Sequence, residues 1–440
     1  MTSTNEPDKV YLLCRYALSH ALYTSWVDGL EYEVEVVEQS PSDFQPPNDC
    51  AIVIGHEHFQ WEDINAYRRI MDQGSVPILM LADGILEYRN TWENPTIPKG
   101  SMYQPLFAHK IACIGNHSAR WIDSWNPPGR TEVVGIPRLD EWTENFRTNK
   151  IEPPNHHADD GIRLIVATAN TPSFDADQRH AVVSSLLDLR QHLTEIQKQN
   201  DNSIYVDWRL TDGLYEDTQI EPPNNPQPLE NSLEQADIVI VTPSTIYLES
   251  VLMGKPTAIL DYTNAPPFVS SAWNISAPSH IAETLADLIA RSAHKIDYQN
   301  FMLRDQLQCE QSARKSMIEL VHQMVKIGNQ QRSAHQAIKL PSRLLTSPSQ
   351  SPATLPSISY RENAKQEFAI TRLKAELNQA VHRLGTLPRE LADKNQQINQ
   401  LQAALDESRR RVADVRARLF KLRKILGIGK ENQEREDVPQ

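Results

Sequence analysis

ADIVIVTPSTIYLESVLMGKPTAILD, residues 236–261, reads as a strand, a tight turn, a short helix, a Gly-Lys-Pro turn and a second strand. Asp237–Val241 has the apolar character of a strand buried on both faces of a parallel sheet. Thr242, Pro243, Ser244 and Thr245 make a hydroxyl-rich turn expected to cap the next helix, because Ser or Thr at that place bonds the free amides of the first turn. The same amides and the helix dipole suit a phosphate. Glu249 falls about one turn further on, where a carboxylate can accept hydrogen bonds from ribose hydroxyls. Gly254 ends the helix, and Pro256 starts the following strand without an amide.

Outward from this stretch the alternation continues. Strand-like runs lie at Val10–Tyr16, Val34–Val37, Ala51–Gly55, Ile78–Ala82, Ile111–Gly115 and Val133–Ile136, with helical patterns between them such as Asp63–Asp72. After a polar segment around Pro153 and Pro154, a second set begins with strands at Ile162–Ala169 and Ile204–Leu210 around a long amphipathic helix, Asp177–Gln197. Strands separated by helix-length segments mean βαβ units and parallel sheets. Ligands then sit at the carboxyl ends of the strands, between the two domains.

Several side chains follow those strand ends. His56 and His58 come directly after Gly55, and a histidine there can take a proton from a hydroxyl. With His117 as a third ligand they suggest a zinc set, but no cysteine or carboxylate spacing supports it. In LADGILEYRNTWENP, Leu81–Pro95, Asp83 and Gly84 form a turn at the cleft edge, followed by Glu87 and Arg89. Asn116, His117 and Ser118 end the next strand and line the same mouth. Arg209 closes the strand Ile204–Trp208, placed to pair with phosphate oxygens.

The hydroxyl turn with Glu249, together with VVGIPRLDEW at Val133–Trp142, resembles the GT-B-type glycosyltransferases, and among them the bacterial surface-polysaccharide group that includes CDP-glycerol glycerophosphotransferases. The resemblance covers roughly residues 50–325. It implies a nucleotide-sugar or CDP-polyol donor and a glycan or lipid-linked acceptor, with no cofactor and no metal. Ser244 and Thr245 would hold the diphosphate and Glu249 the ribose. Arg138 would reach a phosphate across the cleft, with Asp140 fixing it, and Arg209 would meet the developing negative charge. The base would be His56, His58 or Asp83, with Glu87 a further choice, and Glu87, Arg89 and His117 would lie on the acceptor side. Asp83-Gly84 stands where the group commonly has His-Gly, and Trp208-Arg209-Leu210 keeps only the charge of its basic segment. Two other readings are a non-hydrolysing sugar-nucleotide 2-epimerase, whose Glu-rich signature is absent, and a catalytically inactive GT-B-like scaffold.

The expected fold is therefore α/β: two Rossmann-like domains facing a cleft (GT-B-like), residues 1–145 on the acceptor side and 160–329 on the donor side. A disordered Ser/Pro-rich linker is expected at 330–361, followed by an α-helical coiled coil at 362–428. The coil rests on a heptad count: Ile370, Leu377, Leu384, Leu391, Ile398, Leu405, Val412, Leu419 and Leu426 are all apolar. In the series three residues on, only Lys394 and Ser408 are polar. Gly385 and Pro388 interrupt the pattern. The coil implies a homo-oligomer. Its basic stretch Arg409–Lys424 can also touch anionic lipid at the inner face of the cell membrane.

With 440 residues the chain is too long for one ordinary core. Its net charge of −13 argues against nucleic-acid binding. No apolar run reaches membrane-spanning length and no secretory pattern opens the chain, so a cytoplasmic, bacterial enzyme is expected. Cys14, Cys50, Cys113 and Cys309 are spaced as buried thiols rather than as a disulfide framework. Walker, Gly-x-Gly-x-x-Gly and Gly-x-Ser-x-Gly motifs are absent, which excludes the P-loop, dinucleotide and hydrolase-elbow classes.

Overall fold

The computed structural model describes residues 8–14, 22–38, 40–82, 84–97, 102–148, 161–199, 204–224, 227–266, 269–346, 391–419 and 421–422. Its first sheet has six parallel strands: β1 (Lys9–Leu13), β2 (Glu33–Val37), β3 (Cys50–Gly55), β4 (Ile78–Leu81), β5 (Lys110–Cys113) and β6 (Thr131–Val133). They lie in the order β2-β1-β3-β4-β5-β6. The second sheet holds β7 (Ile162–Ala167), β8 (Ile204–Arg209), β9 (Ile238–Val241), β10 (Thr257–Leu260) and β11 (Trp273–Ile275), ordered β11-β10-β9-β7-β8 and also wholly parallel.

Both sheets thus repeat one Rossmann-like order, with the second strand outside the first and the third inside it. The order reverses at β1/β3 and at β7/β9, and in such sheets ligands sit at the strand ends beside the reversal. Central strands are buried along their whole length, as in CAIVIG of β3 and IVIV of β9. The edge strand β2, EVEVV, instead exposes glutamates, and Lys9 pairs with Glu33 at 2.9 Å and Glu35 at 2.7 Å. Charge on an edge discourages further strand pairing.

The domain boundaries differ from those expected. The helix Ala313–Ser333, expected to lie in the donor domain up to residue 329 and in the linker beyond it, packs on the first sheet. It places Met317, Leu320, Val321, Met324 and Val325 against Leu12, Ile52 and Ile54. Burying five such side chains contributes about 2 kcal/mol each, which is why an amphipathic helix at the end of one domain can belong to the other. Asp140 fixes its start: Oδ1 accepts from the Ala313 amide at 2.7 Å, and Oδ2 from the Arg314 amide at 3.0 Å and from Ser312 Oγ at 2.6 Å.

Residues 334–346, placed in the linker by composition, also lie on the first sheet. The fully buried Lys110 ammonium donates to Glu132 Oε1 at 2.6 Å, Gly129 O at 2.8 Å and Ser342 O at 3.0 Å. Glu132 accepts in turn from the Leu344 and Leu345 amides. The remainder of the expected linker, and the first part of the expected coil with Gly385 and Pro388, lie outside the described residues. Residues 391–419 and 421–422 are helical and belong to a second compact unit. Among the described residues no helix is long and apolar enough to cross a membrane. The four cysteines are buried and form no disulfide.

The two sheets are joined by a tight seam. Gly115, after β5, lies against the backbone of Gln306 and Leu307 at the end of the helix Ala293–Gln306, so closely that a Cβ would collide with the Gln306 carbonyl. Arg120 holds Asp305 of the same helix with two bonds of 2.8 and 2.6 Å. Gly115→Ala is expected to lower stability by about 1–3 kcal/mol, the usual range for overpacking, measurable by urea unfolding. An unchanged midpoint would mean that the seam is looser than described.

Candidate functional site

A pocket with about 610 Å3 of open space lies at the seam, between the loop after β4 and the carboxyl ends of β9, β10 and β11. Its first-domain wall is Ile85, Leu86, Glu87 and Arg89. Its second-domain wall includes Pro243, Asp261, Asn264 and Ser276. The floor is mostly apolar with a few convergent polar groups, the usual make-up of a small-molecule site.

The charges at its centre come from LEYRNTWE. Residues Arg89–Glu93 form a π-helical turn, a form often found at functional sites. Thr91 steadies the turn through its amide and hydroxyl, both bonded to Glu87 O. Arg89 is completely buried, forms an ion pair with Glu87, and donates from Nη1 to Pro172 O of the second domain at 3.1 Å. Nearby, Gln178 donates to Glu93 at 3.0 Å, tying the domains once more.

One guanidinium here serves several carboxylates. Burial pushes the Glu87 carboxyl up to about 7; Arg89 opposes the shift, while Asp261 and Glu93 reinforce it. Glu93 is also raised, by burial first and then by Asp175, against its bond from Gln178. Burial disfavours the Arg89 charge, yet Asp261 and Glu87 hold its pKa above the ordinary value. Glu87 thus stands near neutrality inside a cleft, with the balance of a group that can both take and give a proton.

Two buried oxygens around the pocket have no hydrogen-bond partner: Asn264 Oδ1 and Ser244 Oγ. A buried acceptor left unmade costs free energy that a ligand donor would recover. Asn264 also has φ 57°, in the left-handed region.

The hydroxyl turn occupies the switch point of the second sheet, but it does not cap the helix. Ile246–Leu252 starts from Thr245, which already has helical angles and makes no side-chain cap bond. Of the turn's hydroxyls, that of Thr242 binds a neighbouring strand end instead. Thr242 Oγ1 accepts from the Ala169 amide at 2.8 Å, and Thr168 and Thr211 share a 2.9 Å hydroxyl contact. Thr245 presses on Gly84 of the first domain, where a Cβ would strike its Oγ1. Asp83, next to Gly84, lies outside the described residues.

Arg138 and Glu249 meet each other: Nη2 bonds Oε1 at 2.5 Å, joining the loop after β6 to the helix after β9. Asp140 does not fix Arg138, since its oxygens are taken by the start of the last body helix. Arg209 is engaged away from the turn as well. It holds Asp207 at 2.9 Å and Gln227 O at 2.7 Å and also bonds Ser232, anchoring the proline-rich loop.

The histidines are built into packing. His58 is fully buried between the rings of Tyr67, Tyr103 and Phe107, and its Nε2 accepts from the Phe107 amide at 3.3 Å. His56 is buried edge-on to Phe59. His117 lies in the seam beside Arg120 and Asp305, and burial lowers its pKa against the pull of Asp305. Among the described residues, no three such groups gather as a metal site. The sequence does hold an Asp-x-Asp spacing, Asp175-Ala176-Asp177, contrary to the expectation of none. Asp175 Oδ1 accepts from the Gln178 amide at 2.8 Å at the start of the helix Ala176–Gln199.

No protein-family model matches the sequence, and neither does any curated protein. Among solved structures, the chain is similar to a UDP-GlcNAc 2-epimerase from Neisseria meningitidis bound to UDP-GlcNAc, at 12% identity over 71% of this chain and 99% of that one, TM-score 0.49. A putative UDP-N-acetylglucosamine 2-epimerase from Listeria monocytogenes is similar at 12% identity, over 71% and 95%, TM-score 0.48. A variant of the wall teichoic acid polymerase TagF is similar at 12% identity, over 73% and 89%, TM-score 0.44. Likeness at this level says nothing of which residues react.

Proposed function

We propose that this protein transfers a sugar or polyol-phosphate group from a nucleotide-activated donor to a hydroxyl of a glycan or lipid-linked acceptor, with Glu87 as the acid–base group. The observation that carries the reading is the Glu87 carboxyl, balanced near pH 7 in a pocket between the strand ends of two Rossmann-like domains.

In this reading the donor nucleotide enters from the second-domain wall. Asn264 Oδ1 and Ser244 Oγ receive its donors, and the turn at Thr242–Thr245 faces its phosphates. Arg138 is 39% exposed and uses Nη2 on Glu249, so its other nitrogens can meet phosphate oxygens as charge passes to the leaving group. Glu87 in its ionised form takes the proton of the attacking hydroxyl. Arg89 positions that carboxylate, and the apolar wall around Ile85, Leu86 and Ile259 excludes water. His56 and His58 have no part in this scheme, because their rings are buried in the aromatic core.

The test is an assay of nucleotide release from a panel of nucleotide sugars and CDP-glycerol, with and without acceptor. Release that requires both acceptor and Glu87 supports the transferase. Interconversion of the donor alone would make the protein an epimerase. Turnover that survives Glu87→Gln but not Asp83→Asn would move the base to the preceding turn.

A further inference from the structure

The helix at 391–419, with 421–422, carries an apolar seam that the described residues leave open. Its large apolar side chains from Leu391 to Leu422 are all at least half exposed, from 50% at Ile398 to 70% at Leu401. They recur at alternating steps of three and four, and Lys394 and Ser408 are the polar exceptions. A seam this narrow, with a period of 3.5, fits another helix; a helix lying on lipid has a wider apolar face.

The charges beside the seam are unevenly distributed. In the first half the flanking positions are neutral: Asn395, Gln397, Gln402 and Ala404. In the second half they are all arginine: Arg409, Arg411, Arg416 and Arg418. The acidic residues pair within their own helix rather than across the seam. Asp414 holds Arg418 at 2.9 Å, Asp406 lies 3.8 Å from Arg409, and Glu407 pairs with Arg411.

We infer that this helix pairs with the same helix of a second copy, in antiparallel orientation. In a parallel pair Lys394 would face its own copy in the core, and Arg411 would face Arg416 across the flank; like charges at such places oppose pairing. Reversing one helix and centring the pair between Leu405 and Ser408 removes both conflicts. Lys394 then faces Leu419, and Ser408 faces Leu405. Every flanking arginine meets a neutral residue: Arg409 meets Gln402, Arg411 meets Ala404, Arg416 meets Asn395, and Arg418 meets Gln397. The apolar layers Leu391–Leu422, Ile398–Val415 and Leu401–Val412 close at the same register. This inference is independent of the chemistry in the cleft.

The experiment uses the full chain. Sedimentation should give a dimer, and Val412→Asp should give a monomer with an unchanged melting curve for the body. Orientation is read by disulfide trapping. Lys394→Cys mixed with Leu419→Cys should form a cross-linked pair on mild oxidation, while either variant alone should not. In the antiparallel pair the two copies of residue 394 are about 37 Å apart along the axis, beyond disulfide reach. Self-cross-linking of Lys394→Cys alone would overturn the orientation. A monomer in sedimentation, including one that binds vesicles of anionic phospholipid, would overturn the pairing.

Discussion

Arg89→Met is expected to lower stability by about 3–5 kcal/mol, the cost of removing one partner from a buried charged network. The side chain has no solvent contact, so water cannot replace it. Its loss leaves Glu87 without its cation and removes the bond to Pro172 O that ties the two domains. The loss should be largest at pH 8 and shrink toward pH 5, because a protonated Glu87 no longer needs a counter-charge. Urea unfolding at the two pH values reads both effects. A loss below about 1 kcal/mol at pH 8 would show the guanidinium to be solvated rather than buried. Arg89→Lys should recover only part, since an ammonium keeps the charge and loses the planar fork.

Glu87→Gln should reduce turnover by about 10²- to 10⁴-fold, the usual contribution of a positioned acid or base, while leaving the protein folded. The pH dependence separates this role from a structural one. The Glu87 pKa stands at about 7 against 4.5 for an unperturbed carboxyl. Folding therefore favours the protonated form. The stability this gives is fully present below pH 4.5 and is lost as pH rises through 7, by about 3 kcal/mol. Between pH 4.5 and 7 wild-type stability should fall relative to Glu87→Gln, whose amide does not titrate. Wild-type turnover should rise through pH 7 as the base ionises. Parallel stability curves for the two proteins would mean that Glu87 has an ordinary carboxylate pKa.

Much of this architecture was legible from hydrophobic period. The fully buried strands β3, β4, β9 and β10 announce themselves as apolar runs, and the hydroxyl turn after β9 does lie at a switch point. β11 was missed because three residues, WNI, are too short to show a period. Residues 313–329 were given to the donor domain but belong to a helix on the first sheet, since an amphipathic stripe does not say which sheet it will cover. Asp140, which fixes the start of that helix, lies 172 residues before Ser312, and its bonds are wholly tertiary.

The site was legible less evenly. Glu87 and Arg89 were picked out by their place after a strand, yet their coupling depends on burial, which no local pattern reveals. A histidine after a strand looks the same in sequence whether it faces a cleft or aromatic rings; the rings around His58 come from two separate segments, Tyr67 from one helix and Tyr103 and Phe107 from the loop before β5. Arg209 kept a strand-end position, but Asp207 two residues before it and Ser232 across the loop claimed its guanidinium. Arg138 and Glu249 were each assigned to a ligand, and their mutual bond spans 111 positions.

In the proposed reaction the pocket between the sheets receives a nucleotide-activated donor. Calorimetric titration of the full-length protein with UDP, CDP, GDP and dTDP tests it most directly, alongside Ala265→Trp, which fills the pocket from its half-buried rim. One nucleoside diphosphate should bind with one site per chain, and Ala265→Trp, melting as the wild type does, should no longer bind it. No binding by any of the four at millimolar concentration, or equal binding by the filled variant, would contradict the proposal.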